Sequence, residues 1–434
     1  MTDTALMTDR YELTMIDAAM RSGTAFRPSV FEVFARRLPG ARRYGVVAGT
    51  GRFLERVAQF RFGDDELAFL RDTAVVSHDL LDWLADYRFS GSIRGYAEGE
   101  LYFPGSPILV VEGSFAEAVV LETVALSVLN YDSAVANAAT RMTRAAKGRP
   151  VAEMGSRRAS EEAAIAAARA AYIAGFSATS NLAAGARWGI PTMGTAAHSF
   201  TLLHDSEAAA FQAQIDTHGV GTTLLVDTYD IEQGIRTAVE IAGTELGGIR
   251  LDSGDLAEVA GEARALLDSL GATGTRITVT SDLDEYAIAG LQASPVDAYG
   301  VGTSVVTGSG APAAGMVYKL VARQGDDGEW VGVAKNSENK ASKGGEKVAA
   351  RTMRDGFAVE ETVLAGGDGA LVDSLANARA LQVPLVTDGT IDERWLGAAG
   401  VEAARERHVA SVAELPADAH RLARGEPVIP TVFR

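Results

Sequence analysis

The 434-residue sequence contains no cysteine, which excludes disulfide bonds and thiolate chemistry. Basic residues are scarce relative to acidic ones, with 40 Lys and Arg against 57 Asp and Glu, so the formal net charge is −17. A protein that binds a nucleic-acid backbone or an anionic membrane surface needs a basic face. We therefore expect neither nucleic acid nor a membrane as a partner.

Long apolar runs are also missing. The most apolar stretch, residues 106–129, is interrupted by Glu112, Glu117 and Glu122, whereas a membrane span needs roughly 18 consecutive apolar residues. The N-terminal segment lacks the basic and apolar regions of a secretory signal. We therefore expect a cytoplasmic protein.

Between residues 150 and 322, short apolar runs alternate with alanine-rich helical patterns. Strand followed by helix, repeated at a spacing of about 25 residues, favours a parallel sheet, either open or closed into a barrel. The eight runs typical of strands are 150–154, 177–181, 190–194, 222–227, 247–252, 276–282, 296–302 and 316–322.

The two ends of the chain have a different pattern. Residues 1–105 and 330–434 mix short strands, glycine-rich turns and helices, and neither segment resembles a complete domain. We therefore expect an α/β fold in which residues 106–329 form an α/β barrel, TIM-like in its plan. Both chain ends are expected to pack together as a second α/β domain.

Polar residues cluster where the strand-like runs end. In an α/β barrel the carboxyl ends of the strands form the rim that carries ligands and catalysis, so these clusters predict one shared site. The alternative is a set of separate solvated loops. The clusters are residues 155–157, 179–181, 195–198, 227–228, 250–255, 281–282 and 300–303.

The segment GGIRLDSGDL is the sharpest local feature. It contains Arg250, Asp252, Ser253 and Gly254 at the end of a predicted strand. Asp255 then stands where its side chain can cap the following helix. Free backbone N–H groups and a guanidinium suit an anion, and a carboxylate beside them can hold Mg²⁺ or ribose hydroxyls. The simpler interpretation is a helix cap with a surface ion pair.

Other candidates are weaker alone. GVGT at 300–303 suits an anion or an ordinary turn, and the chain lacks both the P-loop pattern and a dinucleotide-binding GxGxxG. His198 is placed to act as a general base, a ligand contact or a nucleophile toward a phosphoryl group, or it is an ordinary rim histidine. The arginine pairs at 36–37, 42–43 and 157–158 indicate positive potential for a polyanionic small molecule, or else surface ion pairs.

Taken together, nine segments resemble the nicotinate phosphoribosyltransferase family. They are TDRYELTM (8–15), FEVFARRLPGARRYGVVAG (31–49), MGSRRAS (154–160), ATSNL (178–182), GTAAHSF (194–200), LLVDTYDI (224–231), IRLDSGDL (249–256), TSDLDE (280–285) and VGT (301–303). The resemblance is in order and spans nearly the whole chain. It implies an irregular α/β barrel with a second α/β domain, and a homodimer with shared active sites.

The resemblance also implies a reaction and a set of roles. Phosphoribosyl pyrophosphate and nicotinate would give nicotinate mononucleotide and pyrophosphate, with ATP as co-substrate and Mg²⁺ as cofactor. His198 would be phosphorylated by ATP, while Asp227 and Asp252 would orient the site or hold Mg²⁺. Nicotinate would contact Tyr11 of a neighbouring subunit, Thr195, Arg250 and Ser180. Phosphate and ribose would contact Arg157, Asn181, Ser253, Gly254, Ser281, Asp282, Gly302 and Thr303.

Two details follow from the same resemblance. Nicotinamide enzymes place a carboxylate where this chain has Thr179-Ser180-Asn181, so the sequence favours the anionic substrate nicotinate. The basic segment 335–347 departs from its relatives, which usually carry Pro-Gly in place of Gly344-Gly345. Its shape stays open, and so does its role, for which a lid over phosphates is one candidate.

Two rival functions remain. A sugar-phosphate isomerase or aldolase would need a Schiff-base lysine or a matched acid–base pair on the rim, and no lysine ends a strand between 150 and 300. A non-catalytic ligand-binding protein would bind phosphoribosyl pyrophosphate without turnover, and it gives no reason for a histidine beside the arginines.

Overall fold

The structure is a computed structural model that describes residues 5–335, 343–366 and 370–434. Most of the basic segment 335–347, namely residues 336–342, lies outside the described residues. The chain divides into two compact units. Unit one takes in the chain up to Ala136 and from Ala311 onward, and unit two spans Asn137–Gly310.

The elements are numbered here in chain order. The strands are β1 (Pro28–Ala35), β2 (Gly45–Val46), β3 (Ser92–Tyr96), β4 (Leu101–Tyr102), β5 (Leu109–Ser114), β6 (Val151–Glu153), β7 (Ala178–Thr179), β8 (Thr223–Leu225), β9 (Gly248–Leu251), β10 (Arg276–Val279), β11 (Ala298–Val301), β12 (Met316–Gln324), β13 (Trp330–Gly332), β14 (Lys347–Arg354), β15 (Phe357–Ala365), β16 (Ala378–Ala380), β17 (Gln382–Thr387), β18 (Thr390–Ile391) and β19 (Thr431–Phe433).

The helices follow the same order. They are α1 (Arg10–Arg21), α2 (Thr50–Gln59), α3 (Asp64–Asp72), α4 (His78–Ala85), α5 (Phe115–Val119), α6 (Glu122–Ala146), α7 (Glu161–Ile173), α8 (Leu182–Trp188), α9 (His198–Leu203), α10 (Glu207–His218), α11 (Ile231–Ala242), α12 (Leu256–Ser269), α13 (Glu285–Gly290), α14 (Thr303–Val306), α15 (Ala370–Asp373) and α16 (Gly397–Ala413).

Unit two is built on a parallel sheet of six strands in the order β7-β6-β11-β10-β9-β8. The pairings place Glu153 beside Thr179 and Val301, and Arg250 beside Leu225 and Thr278. The carboxyl ends of all six strands therefore lie along one edge of the sheet. The predicted irregular α/β barrel with a second α/β domain is confirmed, and the barrel's hydrogen-bonded part is this half-barrel.

Helix α7 shows why alanine is so frequent in this unit. Its alanines from Ala164 to Ala171 are buried. Small side chains let a helix pack closely against a sheet whose two faces are both covered by helices. Four of the helices that follow strands of this sheet, α8, α11, α12 and α13, begin at a polar side-chain cap. The side chain of Asp255 accepts hydrogen bonds from the backbone N–H groups of Ala257 and Glu258, as the sequence predicts.

Unit one contains the remaining sheets. A sheet of seven strands has the order β13-β12-β1-β5-β3-β17-β18, a second has the order β16-β14-β15-β19, and β2 pairs with β4. All of these pairings are antiparallel except that of β15 with β19. The core is aromatic and aliphatic, and Phe31 stacks on Tyr318 with ring centroids 5.0 Å apart.

Three expectations from the sequence need correction. The run 190–194 forms no strand, and only Thr192 makes an isolated parallel bridge to Thr179. The run 316–322 is a strand, but β12 pairs antiparallel with β1 in unit one. Residues 109–114, which the predicted barrel of residues 106–329 includes, instead form β5 of the unit-one sheet. The unit boundaries therefore lie at 136/137 and 310/311 rather than at 105/106 and 329/330.

One helical run has the length and composition of a membrane span. It covers Phe115–Ala146, with a mean hydropathy of 1.3 over its most apolar window. However, 67% of that window is buried inside the protein, as in the core helix of a soluble protein, and the finding is weak evidence for a membrane.

Candidate active site

A polar cavity of about 300 Å³ lies within unit two, at the carboxyl ends of its strands. Because parallel strands bring their carboxyl ends to one edge, residues far apart in sequence meet there. Three guanidinium groups and two carboxylates contribute to its walls. The lining residues are Met154, Arg157, Arg158, Arg250, Asp252, Thr280, Ser281, Asp282, Gly300, Gly302 and Thr303.

His198 begins helix α9 and lies between two carboxylates. Its Nε2 atom is 3.8 Å from Oδ2 of Asp252 and 4.0 Å from Oδ1 of Asp227. Its Nδ1 atom is 3.2 Å from the hydroxyl oxygen of Thr228. The imidazole is 41% exposed, so a ligand can reach it. The ring therefore has carboxylate oxygens near its Nε2 atom and a hydroxyl near its Nδ1 atom.

Asp227 is a buried carboxylate that is hydrogen-bonded to the segment carrying Asp252. Its side chain is fully buried, and Oδ2 accepts hydrogen bonds from the backbone N–H of Asp252 at 2.7 Å and the hydroxyl of Ser253 at 2.9 Å. Oδ1 is also buried and has no hydrogen-bond partner among the described residues. An unpartnered buried carboxylate oxygen is costly unless a cation or a donor satisfies it, so this atom marks a place for His198 or a bound cation.

Asp252 is held by the neighbouring strand. The hydroxyl of Thr280, directly after β10, donates a hydrogen bond to Oδ1 of Asp252, which leaves Oδ2 facing His198. The next residue, Ser281, has a φ of +104°, a conformation that costs a non-glycine residue energy. Strain of this kind is typical of functional sites.

Arg250 lies in β9 and contributes a cation to the cavity. Its Nη1 donates a hydrogen bond to the hydroxyl of Thr195 at 2.6 Å. Burial lowers the pKa of the guanidinium, while the nearby carboxylates of Asp252 and Asp227 raise it in part. An arginine in this setting still carries its charge and is suited to a carboxylate or a phosphate.

No group of three or more His, Asp or Glu side chains suited to a metal ion occurs in the part of the chain that the structure describes. This leaves room for a magnesium ion, which takes one or two carboxylates and completes its shell with water and substrate phosphates.

Comparison with known proteins identifies the family. The family model described as the nicotinate phosphoribosyltransferase (NAPRTase) N-terminal domain matches residues 6–130. Nicotinate phosphoribosyltransferase pncB1 of Mycobacterium tuberculosis is 55% identical over 438 residues, covering 98% of this chain and 94% of the relative. The chain belongs to the nicotinate phosphoribosyltransferase family.

Two further members of the nicotinate phosphoribosyltransferase family extend the comparison. The Bacillus subtilis enzyme is 40% identical over 345 residues, covering 77% of this chain and 70% of its own length. The crystal structure of human nicotinic acid phosphoribosyltransferase has a TM-score of 0.78 at 25% identity, covering 98% of this chain and 97% of the human chain. The family resemblance inferred from the sequence motifs is therefore confirmed.

Most of the residues predicted from the family resemblance lie together in unit two. Seven of them line the cavity: Arg157, Arg250, Asp252, Ser281, Asp282, Gly302 and Thr303. Four more contact this set or each other directly: Thr195, His198, Asp227 and Ser253. Gly254 forms the turn before α12 with a φ of +83°, which a glycine adopts without strain.

Three predicted residues are placed differently. Ser180 and Asn181 follow β7 but are not among the residues that line the cavity. Asn181 instead caps α8 through its Oδ1 and donates from Nδ2 to the hydroxyl of Ser156 at 3.0 Å. Tyr11 lies on α1 of unit one, where it is 45% exposed and hydrogen-bonded to Glu122. Its contact with nicotinate in another subunit stays a prediction.

Sequence reasoning did not single out Thr280 or Glu153. Thr280 positions Asp252, and Glu153, at the end of β6, is buried beneath the cavity's rim. A signal for Glu153 exists in the sequence, because a carboxylate that ends an otherwise apolar strand must find hydrogen-bond donors on folding. Thr280 has no comparable signal, since threonine is common at the ends of strands.

Proposed function

We propose that this chain transfers the phosphoribosyl group of phosphoribosyl pyrophosphate to nicotinate, with ATP assistance through a phosphohistidine at His198. The products would be nicotinate mononucleotide and pyrophosphate, a step of NAD salvage. The names of the relatives support the substrates. The observation that carries the proposal is a histidine between two carboxylates beside an arginine-lined cavity.

The transfer step fits the groups that are present. The bond from the anomeric carbon to pyrophosphate breaks, and a bond from that carbon to the nicotinate ring nitrogen forms. The ring nitrogen carries no proton, so no strong general base is required. Arg157, Arg158 and Arg250 would neutralise phosphate and carboxylate charge, and Asp252 would stabilise the positive charge that develops on the ribose.

The ATP step would use the imidazole as a nucleophile. A neutral ring nitrogen attacks the γ-phosphorus, the bond to the bridging oxygen breaks, and ADP leaves. The carboxylates of Asp227 and Asp252, which lie beside Nε2, would stabilise the imidazolium that forms. Water then cleaves the nitrogen–phosphorus bond to release phosphate.

Magnesium fits this site as a partner of the substrate phosphates. Asp227 Oδ1 is a buried oxygen with no hydrogen-bond partner among the described residues, and Asp252 Oδ2 is the carboxylate oxygen that faces His198, so both are suited to a hard cation. Bound there, Mg²⁺ would offset the negative charge of the pyrophosphate leaving group. The two aspartates would hold it and keep the imidazole oriented.

We also propose a homodimer with shared active sites, in the cytoplasm. Tyr11 supports the shared site because it is exposed on unit one and carries an aromatic ring suited to stacking on a pyridine. The rival isomerase or aldolase function is not favoured, because no lysine lines the described cavity.

A labelling experiment tests the phosphohistidine. With γ-labelled ATP, wild-type protein should acquire acid-labile label, and His198→Ala should acquire none while retaining some ATP-independent transfer. His218→Ala is a matched control, because His218 ends α10 and is exposed. Persistent acid-labile label in His198→Ala would refute the role of this residue.

A second measurement tests the substrate. The protein is incubated with phosphoribosyl pyrophosphate and either nicotinate or nicotinamide, and the mononucleotides are identified by mass spectrometry. We expect nicotinate mononucleotide from the acid and no product from the amide. Equal turnover of both substrates would contradict the proposed preference.

A further inference from the structure

Glu153 is a fully buried carboxylate that joins two loops at the rim of unit two. Its Oε1 accepts a hydrogen bond from the backbone N–H of Gly155, in the loop after β6. Its Oε2 accepts one from the hydroxyl of Thr179, at the end of β7, at 2.6 Å. A single side chain is therefore hydrogen-bonded at the carboxyl ends of two neighbouring strands.

Further hydrogen bonds, together with the peptide bond between Gly155 and Ser156, close a ring. The hydroxyl oxygen of Thr179 accepts from the backbone N–H of Asn181 at 2.9 Å, and the Asn181 amide donates to the hydroxyl of Ser156 at 3.0 Å. We call this set the Glu153 ring: Glu153, Gly155, Ser156, Thr179 and Asn181. Because Thr179 already accepts from Asn181, its proton is directed to Glu153, so the ring requires a carboxylate that accepts on both oxygens.

The ring supports the turn that carries two arginines to the cavity. A short 3₁₀ turn covers Ser156–Arg158, and the N–H of Arg158 donates to the carbonyl of Gly155 at 2.8 Å. Both Arg157 and Arg158 line the cavity. The turn is also confined on its other side, since a Cβ at Gly155 would lie 2.3 Å from Val306 Cγ1.

The placement has a chemical consequence. Exposed arginines are long and flexible, and ordering such a side chain on a ligand costs free energy unless its backbone is already fixed. Glu153 fixes that backbone without touching the cavity, because it is not among the residues that line it. Burial raises the pKa of Glu153, and the hydrogen bonds from Thr179 and Gly155 act in the opposite direction.

We infer that Glu153 is a positioning residue that sets Arg157 and Arg158 to bind the phosphate groups of the phosphoribosyl substrate. This inference rests on the proposed function for the identity of that substrate. The Glu153 ring acts through the two arginines and includes neither Thr195 nor Arg250. Ser180, also predicted to contact nicotinate, lies between two members of the ring but is not among the residues that line the cavity. Loss of the ring should therefore weaken phosphate binding selectively.

The test compares variants of the full-length protein. Glu153→Gln keeps the volume of the side chain but turns an N–H₂ group toward one of its two hydrogen-bond donors, Gly155 or Thr179. Thr179→Val removes the Thr179 hydroxyl and keeps the Glu153 carboxylate. Thr179→Ser restores the hydroxyl and serves as the rescue variant. Thr275→Val is the matched control, because Thr275 is equally buried and hydrogen-bonded but precedes β10, at the opposite edge of the sheet.

Steady-state kinetics should separate the two substrates. For Glu153→Gln and Thr179→Val we expect the KM for phosphoribosyl pyrophosphate to rise about tenfold or more, since one buried charge-assisted hydrogen bond is lost. The KM for nicotinate should stay within about twofold. Thr179→Ser and Thr275→Val should resemble the wild type. An equal rise of both KM values, or an unchanged KM for phosphoribosyl pyrophosphate, would overturn the inference.

Direct binding keeps this test separate from the proposed function. The Kd of phosphoribosyl pyrophosphate, measured by calorimetry without nicotinate, should rise by the same factor as its KM. If the wild type binds this compound but makes no mononucleotide, the proposed function fails, and the Kd values alone decide the role of Glu153. If Glu153→Gln does not fold, Thr179→Val and Ser156→Ala, which breaks the ring at its partly exposed side, decide it.

Discussion

The guanidinium of Arg250 donates a hydrogen bond to the hydroxyl of Thr195 at 2.6 Å, across 55 residues of sequence. The Nε of Arg250 is buried and has no hydrogen-bond partner among the described residues. One edge of the guanidinium is thus fixed by the protein, and the group contributes to a cavity wall. This is the geometry expected of an arginine side chain that binds an anion.

Arg250→Ala should therefore reduce kcat/KM strongly. Loss of a guanidinium that pairs with a buried anion costs about 2 to 5 kcal/mol in transition-state stabilisation. Arg236→Ala is the control, because Arg236 makes only an exposed ion pair with Glu232 on α11. A loss smaller than tenfold in Arg250→Ala would indicate that the guanidinium does not bind substrate.

Tyr11→Ala should lower activity without unfolding the protein, because the ring is 45% exposed and its removal leaves no large cavity. If sites are shared between subunits, mixing Tyr11→Ala with His198→Ala should restore part of the activity, since one of the two mixed sites is then intact. Met15→Ala, one turn further along α1, is the control. Full activity of Tyr11→Ala by itself would rule out stacking on nicotinate.

The ion pairs of Arg351 predict a large stability effect in unit one. The side chain is fully buried, with Nη1 2.6 Å from Oε1 of Glu100 and Nη2 2.9 Å from Oε2 of Glu361. Arg351→Met leaves both carboxylates buried without this partner, so we expect the free energy of unfolding to fall by about 3 to 5 kcal/mol in urea. Arg421→Met, which removes an exposed pair with Asp418, should change it by less than about 0.5 kcal/mol. A change below about 1 kcal/mol in Arg351→Met would show that the two carboxylates do not need the arginine.

Glu12 predicts a pH dependence of stability. Burial raises the pKa of Glu12 from 4.5 to about 7, although its carboxylate accepts hydrogen bonds from Thr8 and Thr123. Between pH 4.5 and 7 the folded state then holds a proton that the unfolded state releases, so this residue's contribution to stability falls as pH rises through that window.

Glu12→Gln should remove that decline. The free energy of unfolding of Glu12→Gln minus that of the wild type should increase by about 1 to 3 kcal/mol from pH 5 to pH 8, measured by urea titration at each pH. Glu329→Gln, at an exposed position, should show no such difference. A constant offset between Glu12→Gln and wild type at all pH values would contradict the shifted pKa.

The position of the candidate site could be predicted from the sequence because parallel strands bring their carboxyl ends to one edge of the sheet. Clusters such as 250–255 and 300–303 follow apolar runs, and the register of β9, β10 and β11 brings their ends to one edge. The order of strands in the sheet, by contrast, depends on long-range pairing. No local pattern assigns β12 to unit one, because an apolar run is equally suited to a parallel or an antiparallel neighbour.

Ser180 and Asn181 show where sequence reasoning stops. Their position after a strand predicts a ligand contact, but the side chain of Asn181 is engaged in the cap of α8 and the bond to Ser156. Asparagine serves equally well as a helix cap and as a ligand contact. Only the packing of neighbouring loops decides between these uses, and that packing is also what gave Glu153 its role.

The pairing of β1 with β12 has a consequence for synthesis on the ribosome. β1 (Pro28–Ala35) pairs with β5 on one side and with β12 (Met316–Gln324) on the other. During translation, one edge of β1 therefore stays open until almost three hundred further residues have been made, about 15 to 60 s at the usual rate of elongation. All six strands of the half-barrel are synthesised before that edge closes, so β1 has one unpaired edge throughout this interval.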